Sequence, residues 1–188
     1  MSGADLTLVE QFLNTLDTRT FTWHGRKQVP TDQLTSPEAL AAWLEDHDLL
    51  PKNHHLGLKN HHLGPSDLTT ALTLRAALRA ALTDSDDTKA VQALKNFPLH
   101  LAPDPDGHLR LTATSEVPGL DVIVETVATS VAASGWHRLK LCSSPECRWA
   151  FYDTSRNGGG RWCRMAACGN RTKTRAYRAR TNADQDAS

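Results

Sequence analysis

All four cysteines of the chain fall within one short C-terminal window. Cys142 and Cys147 enclose four residues, fifteen more follow, and Cys163 and Cys168 enclose four again. Two close pairs joined by a loop are how a chain builds a tetrahedral sulfur cage around one ion. Thiolates at roughly 2.3 Å from Zn²⁺ fill all four positions, so such a site is structural and leaves no place for a reactive water. The competing reading is two disulfides, or four unrelated buried thiols. A reducing compartment favours zinc. Residues 1–19 carry Asp5, Glu10 and Asp17 and lack the basic start and apolar run of a signal peptide. Nowhere do about 18 apolar residues run together, so no membrane span and a cytoplasmic location are expected.

At 188 residues there is room for one ordinary domain and a small module. The formal net charge of zero conceals an asymmetry. Residues 137–180 hold eleven Lys/Arg against two acids, a balance of +9, whereas residues 1–136 hold ten against seventeen, a balance of −7. An acidic body joined to a basic, metal-stapled end predicts a polyanionic partner for that end alone.

The body reads as mainly helical. Leu6, Val9, Phe12, Leu13 and Leu16 share one face at helical spacing. Residues 20–29 read as an extended segment or loop. Ser36-Pro37-Glu38 is a helix start, and that helix is expected to end near Pro51. Ser66 is read as the cap of a longer helix reaching Leu82, and a further helix is expected over 86–97. Residues 99–102 and 108–114 flank Pro103-Asp104-Pro105-Asp106-Gly107, the chemistry of a β-hairpin turn. The apolar stretch 117–133 reads as a buried helix that packs on the body or serves a homodimer. Asn53-His54-His55-Leu56-Gly57 recurs as Asn60-His61-His62-Leu63-Gly64, more simply an expanded loop than a metal site. The fold class is therefore α+β: a mainly helical domain with a hairpin over 1–135, a four-cysteine module with a basic helix over 136–180, and a disordered tail over 181–188.

Trp149 and Phe151 alternate with Arg148, Ala150 and Tyr152 in a strand-like pattern directly after the first cysteine pair. A module this small lacks volume for a core, so these aromatics and Trp162 are expected to pack beside the metal. Gly169 is expected to supply a backbone angle other residues resist, and Asn170 to cap a helix. In that helix Arg171, Arg175 and Arg178 share a face, with Lys173, Tyr177 and Arg180 beside them. Such a helix can lie along phosphates or pair its arginines with guanine. Basic charge alone also suits RNA or an acidic protein surface.

Cys142-x4-Cys147-Arg148-Trp149-x-Phe151-x-Asp153-x-Ser155, followed by Arg161-Trp162-Cys163-x-Met165-x2-Cys168-Gly169-Asn170-Arg171-x-Lys173, resembles the CGNR zinc-finger family. Phe12-x-Asn14-Thr15 and Leu72-x-Leu74-Arg75-x2-Leu78-Arg79 resemble the stress-induced transcription regulator domain that precedes the finger in those proteins. The resemblance implies a bacterial regulator whose finger binds DNA and whose front domain senses a small molecule. Gly158-Gly159-Gly160 and Gln11 depart from it, standing where a more basic loop and an acidic residue are expected.

The expected function is thus a DNA-binding transcriptional regulator and not an enzyme. Cys142, Cys147, Cys163 and Cys168 hold one structural Zn²⁺; Arg171, Lys173, Arg175, Arg178 and Arg180 contact DNA, with Arg161 and Arg164. Asn14, Asp17 and Arg75 are candidate ligand-binding residues of the front domain. The alternative is a zinc-stabilised RNA-binding or protein-interaction module.

Overall fold

The computed structural model describes residues 6–23, 25–50, 63–83, 88–117 and 119–186. The duplicated histidine segment lies outside them, Leu63 and Gly64 apart. Helix α1 (Thr7–Leu13) buries Val9, Phe12 and Leu13, the face its spacing announces. Strands β1 (Leu16–Asp17) and β4 (Thr31–Asp32) pair antiparallel, and between them β2 (Thr22–Trp23) and β3 (Arg26–Lys27) form a small hairpin. The stretch read as an extended segment or loop is therefore extended, as a small hairpin between the strands of a second pair. Two-residue strands are too short to leave an alternating pattern.

Helix α2 (Pro37–Asp46) starts as the sequence requires, with the Ala39 N–H donating to Ser36 Oγ at 3.2 Å and Pro37 in the first turn. It stops at Asp46, short of the expected Pro51. Helix α3 (Pro65–Ala81) starts earlier than Ser66. Pro65 carries the preset first-turn angle, and the Gly64 N–H donates to the Asp67 carboxylate at 2.6 Å, so the cap is Gly64. Helix α4 (Thr88–Gln92) runs into a tighter turn over Ala93–Asn96. Strands β5 (Leu99–Pro103) and β6 (Leu109–Ala113) form the expected hairpin, whose turn is held by Asp106 and His108 N–H groups donating to Asp104 Oδ1 at 2.9 and 2.8 Å.

Helix α5 (Leu120–Ala132) buries Leu120, Ile123 and Val124 in the chain's own core. Gly119 precedes it at φ +89°, where a Cβ would meet Leu49 and Leu44 at 3.1–3.2 Å. Strands β7 (Leu139–Leu141) and β8 (Ala150–Tyr152) then pair antiparallel, and α6 (Asn170–Asp186) ends the described chain. No Gly or Pro follows Gly169, so nothing breaks the helix at 181 and the tail expected to be disordered continues α6 to Asp186. Among the described residues no helix is long and apolar enough to cross a membrane.

One apolar cluster gathers Val9, Phe12, Leu40, Leu74, Leu78, Leu120 and Ile123, and it also takes in Leu139, Leu141 and Ala150. The β7–β8 hairpin therefore belongs to the body's core, although its sequence belongs to the cysteine module. A second, smaller cluster surrounds the cysteines with Phe21 and Ala167, and Trp149, Phe151 and Trp162 pack against it as expected.

Candidate metal centre

The β7–β8 hairpin delivers the first cysteine pair. The Cys142 N–H donates to Trp149 O at 2.9 Å, and the Cys147 N–H donates to Ser144 O at 2.9 Å. The turn between the strands is tight enough to hold Arg148 at φ +50°, a region side chains rarely enter. Of the second pair, Cys163 lies in a bend just before a widened helical turn over Met165–Gly169, and Cys168 lies within that turn, its N–H donating to Arg164 O at 2.9 Å. Ser143 N–H, donating to Arg161 O at 2.9 Å, ties the halves together.

The four Sγ atoms lie within 4.8 Å of one another, and none is in a disulfide. Cys163 Sγ is 3.6 Å from that of Cys147 and 3.8 Å from that of Cys168. Four sulfurs around Zn²⁺ at the usual bond length are separated by about 3.8 Å. Donor set and spacing fit one zinc ion, and the disulfide reading falls away. Sulfur electrostatics agree. Hydrogen bonds from the Cys147 and Cys163 thiols hold Cys142 far below the usual thiol range, while sharing with Cys142 and Cys147, and then burial, push Cys163 far above it. Four crowded thiolates need a divalent cation at their centre to coexist.

Gly169 matters for space. It has no left-handed angle, contrary to expectation; a Cβ there would run into the Met165 sulfur and sit 3.1 Å from Trp162 Cδ1. Asn170 has helical angles and is already part of α6 rather than its cap. The three-glycine loop also has a structural task. Lys140 Nζ donates to Asp153 Oδ2 at 2.7 Å, to Gly160 O at 3.1 Å and to Gly158 O. The Gly160 N–H donates to Asp153 at 2.7 Å, and a Cβ at Gly160 would lie 2.6 Å from that carboxylate. These donors, Lys140 foremost, hold the buried Asp153 carboxyl far below its usual range.

The basic helix divides into two parts. Arg171 is half buried: its Nη2 lies 3.1 Å from Ser144 Oγ and 3.8 Å from Cys168 Sγ, and its guanidinium stacks 3.6 Å above the Phe21 ring. Arg171 thus braces the metal centre. Arg175 is exposed but bonds Glu146 at 2.7 Å. Lys173, Arg178 and Arg180 are exposed, as are Arg161 and Arg164 around the second cysteine pair. A cleft of about 390 Å³ opens beside the sulfurs, lined by Glu10, Arg19, Phe21, Trp149 and Arg164 among others.

The candidate ligand residues of the body are occupied elsewhere. Asn14 pairs with the edge of β8: its Nδ2 donates to Ala150 O at 2.9 Å and its Oδ1 accepts from Ala150 N at 2.8 Å. Asp17 accepts from Arg19, and Arg75 donates to Asp32 at 2.5–2.7 Å and to Thr15 Oγ1 at 2.8 Å. Burial opposes ionisation of Asp32, but the Arg75 and Leu34 donors outweigh it and lower its pKa. The three residues brace the fold; none of them lines the 390 Å³ cleft.

Residues 6–135 match the family model ABATE, described as putative stress-induced transcription regulator, and residues 138–181 match the CGNR zinc finger. The chain belongs to the ABATE family. Its C-terminal part is a CGNR zinc finger with one zinc site. No curated protein matches the chain.

The ABATE segment reaches into the finger at points its sequence did not reveal. Thr18 Oγ1 donates to Cys147 O at 3.2 Å, and the Thr20 N–H donates to Glu146 O at 3.1 Å. Arg79, nearly buried in α3, donates to Leu13 O at 2.9 Å and to Arg148 O at 2.8 Å, bridging α1 to the first knuckle.

Proposed function

We propose that this ABATE-family protein is a DNA-binding transcriptional regulator whose CGNR finger holds α6 against duplex phosphates. One observation carries the reading. From Lys173 to Arg180 every residue of α6 is exposed, Tyr177 included at 64 %. A helix polar on all sides gains nothing from its own fold and is accounted for by a partner that meets its charge. The zinc site fixes where that helix begins, through Cys168 and the bracing Arg171. Lys173, Arg178 and Arg180 then supply phosphate contacts, with Arg161 and Arg164 flanking. The acidic body repels DNA and confines contact to the finger.

The reading assigns the chain no reaction: four protein sulfurs leave zinc no open position, and the ion's task is shape. An effector bound by the ABATE segment acts on the finger through Asn14 and Arg79, the residues that join the two. Anisotropy titration of a fluorescent duplex over a salt series tests the core of the proposal. Binding should weaken steeply with salt, and Arg178→Ala with Arg180→Ala should reduce the slope by about two while zinc content stays at one per chain. A flat salt response overturns it.

A further inference from the structure

Residues 18–31 carry Arg19, Arg26 and Lys27 and no Asp or Glu. The fold brings this basic stretch to the finger. Thr18 and Thr20 bond to the backbone of Cys147 and Glu146, and Phe21, 8 % exposed, closes over the cysteine cluster. Arg171, in the first turn of α6, lies directly above that ring. The β2–β3 hairpin and α6 therefore leave the zinc centre from a common base.

Beyond Phe21, Thr22, Gly25, Arg26 and Lys27 are exposed. The Gln28 N–H donates to Phe21 O at 2.9 Å and closes its foot, while at Gly25 (φ +74°) even an added Cβ would meet nothing within 4 Å. Arg26 and Lys27 are exposed, and neither has an ion pair among the described residues. Arg19, by contrast, is used up: Asp17 chelates it, and it stacks 4.1 Å from the centre of the Trp149 ring. Arg171 and Arg175 are likewise tied to Glu146. Two projections from the zinc centre thus carry exposed cations, the far part of α6 and the β2–β3 hairpin.

We propose that the β2–β3 hairpin is a second phosphate-gripping arm, in which Arg26 and Lys27 hold the backbone of the same duplex that α6 engages. This rests on the DNA-binding reading above. Two adjacent strand residues point to opposite faces, so the ribbon presents one cation on each side, as a strand laid beside a phosphate chain requires. It also explains why an acidic body keeps a run of cations free of acids where it touches the finger.

The test uses the full-length, zinc-loaded chain and a fluorescent duplex of arbitrary sequence, titrated at several salt concentrations. The variant is Arg26→Ala with Lys27→Ala; the control is Arg110→Ala, an exposed cation on the β5–β6 hairpin. The double variant should bind about tenfold more weakly and lose about two from the salt slope. Zinc content and melting temperature should stay unchanged, and Arg26→Lys should restore most of the affinity. A double variant that behaves like the Arg110 control overturns the arm and leaves the finger reading intact. A wild-type chain with no salt-dependent duplex binding overturns both.

Discussion

The body and the finger solve the same problem with different materials. The body buries Val9, Phe12, Leu13, Leu40, Leu74, Leu78, Leu120 and Ile123 almost completely and is held by hydrocarbon. Around the cysteines only Phe21 and Ala167 are buried apolar partners, so the finger is held by sulfur, an ion and aromatic edges. Apolar burial is spread over many residues and fails gradually, each side chain contributing about 1.5–3 kcal/mol. A metal cage concentrates its stability in one species, about 10–16 kcal/mol for a structural zinc. The hairpin β7–β8 belongs to both, since Leu139, Leu141 and Ala150 lie in the body's core. The comparison teaches that the finger is half independent: its metal end depends on zinc, with Thr18, Thr20 and Phe21 of the body set against it, and its hairpin end stands in the body's core.

The largest expected effect breaks the two apart. Chelation, or Cys147→Ser, should abolish the helical signal of α6 and expose Trp149 and Trp162, while amide protection persists in α1, α3, α5 and β7–β8. Segment-resolved hydrogen exchange reads this directly, and collapse of the body together with the finger would show that the ion supports the whole chain. Acid should act in the same order. Zinc leaves as protons compete for the thiolates, before the body loses its own ion pairs. The Asp32 pKa is lowered in the fold, so its contribution is complete above the ordinary carboxyl range, declines as pH falls from that range toward the lowered value, and is gone below it.

The next effect sharpens the comparison at the joint. Asn14→Ala removes the amide that pairs with both backbone groups of Ala150, leaving a buried donor and acceptor without partners. At about 1–3 kcal/mol for each, the loss is about 3 kcal/mol in total. Asn14→Asp keeps the acceptor but turns a carboxylate toward Ala150 O, and it should be at least as damaging. Denaturant melts of the zinc-loaded chain measure both; stability within 0.5 kcal/mol of wild type, taken as about the limit for an ordinary surface change, would deny Asn14 its place in the weld.

How far the sequence could be read follows the same division. The zinc ligands were legible because the cage needs four sulfurs at fixed spacing, and the chain has no others. The helix faces of α1, α2 and α3 were legible because apolar burial imposes a period. The joint was not. Asn14, Thr18, Thr20 and Arg79 are polar residues whose partners lie 66 to 136 positions away or across the cysteine window, and no local pattern records such a pairing. Asn14, Asp17 and Arg75, read as candidate ligand residues, bond to Ala150, Arg19 and Asp32 of the protein itself. The bracing role of Arg171 was illegible for a related reason. Spacing put it on a face with Arg175 and Arg178, but only the fold shows Phe21 and Ser144 under that end of the face.

A smaller effect tests whether the three-glycine loop serves the finger's structure or its partner. Asp153 accepts from Lys140, Gly160 and Ser155, and Asp153→Asn cannot accept all three bonds while its own amide hydrogens lack acceptors. A loss of about 2 kcal/mol is expected at neutral pH. Because the folded carboxyl is held far below its usual range, the wild-type advantage should be constant through neutral pH and shrink progressively as pH falls from the ordinary carboxyl range into strong acid. If the gap instead stays the same at every pH, the Lys140 pairing does not govern Asp153.

The smallest effect belongs to the body alone and calibrates the rest. Ser36 caps α2 by accepting from the Ala39 N–H at 3.2 Å, an ordinary capping bond far from the cysteines. Ser36→Ala should cost about 1 kcal/mol, and Ser36→Asp should cost little, because Asp caps as well as Ser and favours the positive end of the helix dipole. Neither change should alter zinc content or the salt slope of duplex binding. A shift in either would mean that local loosening of the body reaches the finger through Asn14 and Arg79, making the joint a mechanical link in addition to a structural one. The Ser36 pair therefore separates a finger that merely rests on the body from one that responds to it.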